Sequence, residues 1–183
     1  MNRGDWLIEE QTPSYQTRWR VREVLHEEQT PYQKLQVLEL EDFGRALVLD
    51  DAVQTTVGDE FIYHEMIAHV PLFTHPHPER VLIIGGGDGG TAREVCRHES
   101  VQKVDMVEID RAVIEACRKH LPEIACGMDH PKVNLVVGDG IGWVADRVDE
   151  YDVIIVDSSD PVGPAKGLFN RAFYENVFRA LKA

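Results

Sequence analysis

A short apolar segment followed at once by a run of glycines is the feature that most restricts how this chain can fold. Val81-Leu82-Ile83-Ile84 has the composition of a strand that is buried on both faces. Directly after it comes Gly85-Gly86-Gly87-Asp88-Gly89-Gly90, in which Gly85, Gly87 and Gly90 satisfy the pattern G-x-G-x-x-G. Glycine allows a tight turn and the close approach of a ligand to the backbone. The segment therefore predicts a strand, a nucleoside-binding loop and a helix, in that order.

The sequence that follows alternates between strand and helix patterns. We predict strands at 81–84, 104–109, 133–137 and 152–156, and helices at 90–98, 111–120, 140–148 and 169–181. Such alternation is typical of right-handed crossovers and a parallel, Rossmann-like sheet. In the strand order 3-2-1-4, the apolar fourth strand lies at an open edge, so we expect the sheet to be incomplete at the C-terminus.

The first part of the chain has a different character. Short β-type runs at 19–26, 34–40, 46–49 and 53–57 are separated by turn sequences. They predict a small antiparallel β domain over 1–57. Asp59 is placed to cap a helix that ends near Pro71, which gives a linking helix and loop over 58–78 and the Rossmann-like domain over 79–183.

Composition excludes several classes of function. The formal net charge of −13 disfavours binding to nucleic acid. No apolar run approaches the roughly 20 residues that span a bilayer, and the N-terminus lacks a secretory signal. These features predict a cytosolic protein that does not bind membranes. Three scattered cysteines and the His75-Pro76-His77 segment are poor material for a metal site, so we expect none.

Acidic residues follow the strand ends. Glu108 lies at the end of the second strand, where a carboxylate can bind both ribose hydroxyls. Asp88 places a negative charge where a pyrophosphate would otherwise bind at a helix N-terminus, which favours a ligand with a cationic group over a dinucleotide. Asp139-Gly140 offers an acid that can bind an adenine amino group beside a position without a side chain. Asp157 and Asp160, after the fourth strand, are expected to face the same cleft.

These segments together resemble the spermidine synthases, a family of polyamine aminopropyltransferases. The resemblance extends over nearly the whole chain and includes Gln54-Thr55-Thr56 and the segment 59–66. It implies a fold like that of the class I S-adenosylmethionine methyltransferases. It also implies a homodimer or homotetramer and a reaction in which decarboxylated S-adenosylmethionine gives its aminopropyl group to putrescine, yielding spermidine and methylthioadenosine without a metal.

The resemblance also implies roles for individual residues. The donor site would comprise Gln33, His64, Gly85, Gly87, Asp88, Glu108, Asp139, Gly140 and Pro164. The acceptor site would comprise Gln54, Tyr63, Asp157 and Asp160, with Asp157 as the proton acceptor. We expect Asp160 to anchor a charged amine, and Asp88 to pair with the donor's amine and repel the carboxylate of ordinary S-adenosylmethionine.

Other functions stay open at this point. A methyltransferase that uses S-adenosylmethionine shares the glycine loop and the ribose acid, and a nicotinamide-dependent dehydrogenase is disfavoured by Asp88. Because the family continues into further strands that are not present, a noncatalytic nucleoside-binding fragment is a third alternative. The acceptor could also be cadaverine, agmatine or spermidine.

Overall fold

A computed structural model describes residues 6–161 and 163–183, without the side chain of Pro164. The first five strands form one antiparallel sheet in the order β1-β2-β3-β4-β5. Their bounds are β1 Trp6–Thr12, β2 Tyr15–Gln29, β3 Lys34–Leu40, β4 Gly44–Leu49 and β5 Ala52–Thr56. Strands β2 to β5 were expected from the sequence, whereas β1 was missed. Only Leu7 of that strand is buried, so its apolar pattern is weak.

The second half of the described chain is a parallel sheet covered by helices. Its strands are β6 Arg80–Gly85, β7 Lys103–Glu108, β8 Val133–Val137 and β9 Val153–Asp157. Their order is β8-β7-β6-β9, which confirms the predicted order 3-2-1-4 and leaves β9 at an edge of the described sheet. The helices are α1 Glu60–Thr74, α2 Gly90–Cys96, α3 Arg111–His120, α4 Pro122–Ala125, α5 Gly140–Ala145 and α6 Arg171–Ala180.

The predicted end of α1 at Pro71 is wrong, because the helix continues to Thr74. Proline removes one backbone donor and usually ends or bends a helix. Here the turn after it is held by Leu72, which is buried in the core, and by a hydrogen bond from the His75 amide to the Pro71 carbonyl. Asp59 occupies the N-cap position but its side chain makes no capping bond; it accepts the Thr56 hydroxyl instead.

The remaining differences are short elements. Helix α4 and the 3-10 helices Cys126–Asp129 and Gly163–Phe169 were not predicted, and α5 ends at Ala145 rather than 148. The main core lies between one face of the parallel sheet and α1 to α4. It also contains Leu35, Val37 and Leu47 of the antiparallel sheet. The two sheets therefore share one core, which fixes β3 and β4 beside the carboxyl ends of the parallel strands. No helix in the described residues is long and apolar enough to cross a membrane.

Candidate active site

A cavity of about 510 Å³ opens at the carboxyl ends of the parallel strands. Its walls come from the loops after β6, β7, β8 and β9, from α1, and from the antiparallel sheet. Twelve of the sequence-predicted site residues line it: Gln33, Gln54, Tyr63, His64, Gly85, Gly87, Asp88, Glu108, Asp139, Gly140, Asp157 and Asp160. The prediction for Pro164 concerns its side chain, which lies outside the described part of the structure.

The glycine loop folds tightly against the end of β9. Gly85 and Gly86 have φ angles of 84° and 72°, in the left-handed region that favours glycine. A Cβ atom on Gly85 would lie 2.0 Å from the Asp157 carbonyl oxygen. The Gly86 amide donates to that same oxygen at 2.8 Å. The loop therefore brings the ends of β6 and β9 together, which places Asp88 and Asp157 in one cavity.

Asp88 occupies the start of α2. Its Oδ1 atom accepts a hydrogen bond of 2.8 Å from the Gly90 amide. A carboxylate at this position interacts favourably with the positive end of the helix dipole. The backbone donor that an anionic ligand would use is consequently already engaged by a negative charge, in keeping with the expectation that the cavity favours a cationic group.

Glu108 is buried at the end of β7. Its Oε1 atom accepts the Asp110 amide at 2.8 Å. Burial raises the pKa of this carboxyl to about 7, and the charge of Asp110 adds to the effect, although backbone N–H groups of Asp110, Gly87 and Ile109 lower it. At neutral pH the carboxylic acid and the carboxylate forms of this side chain are therefore both populated.

Asp157 receives two hydroxyl donors. The Tyr63 hydroxyl donates to Oδ1 at 2.9 Å, and the Thr91 hydroxyl donates to Oδ2 at 2.7 Å. Burial and the neighbouring charge of Asp88 raise the pKa of Asp157 above its usual value, while Thr91, the charge of His64 and Tyr63 lower it. Burial and Asp157 also raise the pKa of Tyr63, so this phenol stays protonated and remains a donor. The arrangement gives an oriented carboxylate with an increased affinity for a proton.

His64 lies on α1 between two carboxylates and is only 1% exposed. Its Nδ1 atom is 2.5 Å from Glu60 Oε2, and its Nε2 atom is 3.4 Å from Asp88 Oδ1. Burial by itself lowers the pKa of the imidazole, but Asp88 and Glu60 together raise it to about 9. The two carboxylates therefore favour the protonated form of this buried imidazole at neutral pH.

The rim of the cavity is held by the antiparallel sheet and by α5. The side-chain amide of Gln33 donates a hydrogen bond to Asp110 Oδ2 at 3.1 Å, and the Thr30 hydroxyl donates to the same atom at 2.7 Å. Asp139 Oδ1 caps α5 by accepting the Ile141 amide at 2.9 Å. A Cβ atom on Gly140 would lie 2.4 Å from Ile84 Cγ2, so only glycine fits there without displacement.

Three of the predicted acceptor residues that line the cavity, Gln54, Tyr63 and Asp160, are exposed. Asp160 lies in the loop after β9. Gln54 lies on β5, where its amide donates to the Ala52 carbonyl at 3.1 Å.

Sequence analysis missed Glu60 and Thr91. The sequence could have indicated Glu60, because it lies four residues before His64 on one predicted helix and side chains at that spacing are neighbours. Nothing in the sequence indicates Thr91, because its contact with Asp157 joins residues 66 positions apart.

Metal-ligating groups do not cluster in the described part of the chain: no group of three or more histidine, cysteine or acidic side chains there could hold a metal ion. Of the segment at 75–77, His77 pairs with Glu79 at 3.0 Å on the surface.

Comparison with known proteins identifies the family. Residues 60–183 match the family described as the spermine/spermidine synthase domain. The chain belongs to this family. Residues 5–57 match a second description, the spermidine synthase tetramerisation domain.

Two similar proteins are named polyamine aminopropyltransferases. A polyamine aminopropyltransferase of Desulforudis audaxviator is 57% identical over 97% of this chain and 64% of its own length. One of Methanocaldococcus jannaschii is 54% identical over 96% of this chain and 60% of its own length.

Two solved structures have the same fold. A spermidine synthase in complex with the transition state analogue AdoDATO has a TM-score of 0.95 at 44% identity, over 97% of this chain and 61% of that one. The spermidine synthase of Thermotoga maritima has a TM-score of 0.93 at 43% identity, over 99% of this chain and 62% of that one. This chain thus spans from 60% to 64% of the length of these relatives.

Proposed function

We propose that this chain carries the donor site and the proton acceptor of a polyamine aminopropyltransferase. Decarboxylated S-adenosylmethionine would be the donor and putrescine the acceptor, with spermidine and methylthioadenosine as products. The observation that carries the proposal is the carboxylate of Asp157, oriented by two hydroxyls in the same cavity as Glu108 and Asp88. Carboxylates that would bind the ribose and the amine therefore line one cavity.

The proposed chemistry is a direct displacement. The lone pair of the acceptor nitrogen attacks the carbon next to the sulfonium, and the carbon–sulfur bond breaks with its electrons moving to sulfur. The leaving group is then the neutral thioether methylthioadenosine. The proton of the attacking nitrogen passes to Asp157, whose raised pKa suits a proton acceptor. The step needs neither a metal nor a covalent enzyme intermediate.

Deprotonation of the acceptor is the costly part. An alkyl ammonium with a pKa near 10.4 must lose a proton at a cost of about 4–5 kcal/mol at neutral pH. Carboxylates near the ammonium oppose that loss. We propose that Asp160, at the exposed mouth, anchors the distant charged amine while Asp157 serves the attacking nitrogen. The cavity would then contribute mainly by orienting the two reactants.

The other site assignments follow from the same geometry. Glu108 would bind the ribose hydroxyls and Gln33, Asp139 and Gly140 would surround the adenosine. Asp88 and His64 would face the donor's amine. The division of the chain at 1–57, 58–78 and 79–183, a homodimer or homotetramer, and a cytosolic location are part of the same proposal. The match of residues 5–57 to a tetramerisation domain supports the oligomer.

A direct assay tests the function. The 183-residue chain is incubated with decarboxylated S-adenosylmethionine and putrescine, cadaverine, agmatine or spermidine, and methylthioadenosine is measured. We expect release with putrescine, and a loss of at least about a hundredfold in Asp157→Asn. Asp146→Asn removes an exposed carboxylate outside the cavity and should leave the rate unchanged.

Two results would contradict the proposal. Binding of methylthioadenosine without turnover indicates a noncatalytic nucleoside-binding chain. Transfer of a methyl group from ordinary S-adenosylmethionine indicates a methyltransferase.

A further inference from the structure

The proposed reaction assigns no role to Glu60. Its side chain is only 10% exposed, at the first residue of α1. Both of its oxygens face the Arg93 guanidinium, with distances of 2.9 Å from Nη1 to Oε1 and from Nη2 to Oε2. Arg93 is fixed in turn by Glu94 at 2.8 Å. A two-point contact of this kind sets the direction as well as the distance of a carboxylate.

The fixed carboxylate of Glu60 determines what His64 can be. A neutral imidazole has one N–H donor and one acceptor nitrogen. In this site both ring nitrogens face carboxylates, Nδ1 towards Glu60 and Nε2 towards Asp88. A neutral ring would leave one nitrogen lone pair directed at an anion. Only the ring with protons on both nitrogens satisfies the two neighbours.

In the described part of the chain, the other neighbours of the ring are charged groups, an aromatic ring and a glycine. Charged groups face it from α1 (Glu60), the glycine loop (Asp88) and β9 (Asp157), and Arg93 of α2 lies behind Glu60. The Tyr63 ring meets it edge-on at 5.5 Å. On the remaining side is Gly90, where a Cβ atom would lie 2.3 Å from the imidazole. The ring is therefore closely packed, with both of its nitrogens directed at carboxylates.

We propose that Glu60, held by Arg93, is a positioning residue that keeps His64 doubly protonated, so that Asp157 stays ionised beside Asp88 before a substrate amine arrives. Without a cation nearby, two carboxylates in one cavity favour sharing a proton. A protonated Asp157 could not accept a proton from the acceptor. The consequence for amine binding rests on the proposed function, whereas the charge of His64 does not.

The charge of His64 is measurable on this chain without any substrate. We would record ¹⁵N spectra of the histidine rings of the 183-residue protein from pH 5.5 to 10, with His64→Gln to assign the signal. We expect both ring nitrogens to be protonated at pH 7.5, and a midpoint near pH 9. A neutral His64 ring at pH 7 in the unsubstituted chain would overturn the proposal, and this result needs no folded variant at position 60.

The role of Glu60 requires a matched pair of variants. Glu60→Gln keeps the shape of the side chain but removes its charge, and we expect the His64 midpoint to fall by about one pH unit or more. Glu65→Gln removes the same charge from the same helix, at an exposed position 4.0 Å from Arg97, and should leave the midpoint unchanged. Equal shifts of the His64 midpoint in the two variants would show that the midpoint depends on the total charge of the helix and not on the contact with Glu60.

Amine binding tests the second half of the proposal. Putrescine affinity is measured by calorimetry with methylthioadenosine present, between pH 6.5 and 8.5. In Glu60→Gln we expect affinity to fall severalfold, relative to the unsubstituted chain and Glu65→Gln, between pH 7 and 8.5, where the His64 ring of this variant alone loses most of its charge. Identical pH profiles with a shifted His64 midpoint would overturn the link to Asp88 and Asp157. If the unsubstituted chain bound no amine at all, the proposed function would fail while the spectroscopic result stood.

Discussion

At the scale of single residues, the acids of the cavity differ because their neighbours differ. Glu108 is buried against three backbone N–H groups but lies beside the charge of Asp110, and burial is the larger influence on its pKa. Asp157 is also buried, yet hydroxyl donors and the His64 cation counteract part of that effect. These carboxyl groups end two strands of one sheet, β7 and β9, that flank β6. Their different surroundings suit the separate tasks that we propose for them, one in binding a nucleoside and one in accepting a proton.

Nucleoside binding should depend on pH through Glu108. A pKa of about 7 in the empty site means that the carboxyl is mostly protonated at pH 6. Accepting two ribose hydroxyls requires the ionised form, so affinity for methylthioadenosine should rise by up to about tenfold per pH unit below 7 and level off above it. Calorimetric titration between pH 5.5 and 8.5 measures this rise.

Glu108→Gln is the control for that titration. It should bind more weakly and lose most of the pH dependence, because an amide does not ionise in this range. A profile in Glu108→Gln as steep as that of the unsubstituted chain would assign the pH dependence to another group.

Sequence patterns could indicate Asp88, Glu108, Asp139 and Asp157 because each follows directly from the end of a parallel strand. The raised pKa of Asp157 could not be predicted in the same way. It depends on Thr91, which bonds to Asp157, and on His64, whose partner Glu60 is held by Arg93 only after α1 and α2 have packed against each other. Residues whose contacts are made by tertiary packing leave no local signal.

At the scale of elements, the start of α2 is a point of close packing. Gly90 faces the His64 ring, and a Cβ atom there would lie 2.3 Å from it. Gly142, inside α5, would place its Cβ atom no nearer than 3.6 Å to Asp139 Oδ2. The two glycines are therefore kept for different reasons.

Substituting each glycine by alanine should have opposite effects. Gly90→Ala should lower the free energy of unfolding by about 1–3 kcal/mol because of overpacking. Gly142→Ala should raise it by about 0.5–1 kcal/mol, because alanine loses less conformational freedom in a helix. Urea unfolding of both variants gives the comparison, and loss of stability in both would show that α5 also lacks room.

The turn between β2 and β3 fastens the antiparallel sheet to α3. The Thr30 hydroxyl donates to Asp110 and accepts the Tyr32 and Gln33 amides, each at 3.1 Å. Thr30→Val should cost about 1–3 kcal/mol by leaving buried partners unsatisfied, and should weaken nucleoside binding through Gln33. Thr30→Ser keeps the hydroxyl and should resemble the unsubstituted chain in both urea unfolding and calorimetry. If Thr30→Val and Thr30→Ser had the same stability and the same affinity for the nucleoside, this hydroxyl would contribute to neither.

Strands and helices could be predicted where buried residues recur at a regular spacing along the chain. They could not be predicted where tertiary contacts determine the local structure. The four parallel strands and α3 have clear apolar patterns, and their order was predicted correctly. Pro71 misled the prediction because a local rule against proline was outweighed by burial of Leu72. Strand β1 carries a single buried residue, so its partner β2 and not its own sequence pattern defines it.

At the scale of the whole molecule, the exposed side of the β1–β2 hairpin is expected to join copies of the chain. Trp6, Ile8 and Tyr15 are 49%, 45% and 62% exposed there. Ile8→Lys should shift sedimentation towards the monomer because a charge is costly inside an apolar interface. Ile62→Lys adds the same charge on α1, where Ile62 is 59% exposed, and should leave the assembly intact. Dissociation by Ile62→Lys alone would place the interface on α1.

The stability of the whole molecule should fall with rising pH in two separate windows. Glu108 has a pKa of about 7 in the folded chain against 4.5 as its reference, and His64 about 9 against 6.5. Both values are raised, so between the reference and the folded pKa the folded chain holds more protons than the unfolded chain. The free energy of unfolding therefore decreases from pH 4.5 to 7 through Glu108 and from pH 6.5 to 9 through His64.

Each window should contribute on the order of 3 kcal/mol, at about 1.4 kcal/mol per pKa unit. Glu94 and Asp152 have lowered pKa values, and the stability that they contribute is lost only as the pH falls below about 4.5. Asp157 also has a raised pKa, and His98 and His120 have lowered ones, so the urea-unfolding profile of the unsubstituted chain from pH 5 to 9.5 contains further contributions, and the substitutions are needed to assign its slopes. Glu108→Gln should flatten the profile below pH 7 and His64→Gln should flatten it above, whatever each substitution does to stability at a single pH. A profile that keeps its slope above pH 7 in His64→Gln would mean that the buried imidazole is not the group that titrates there.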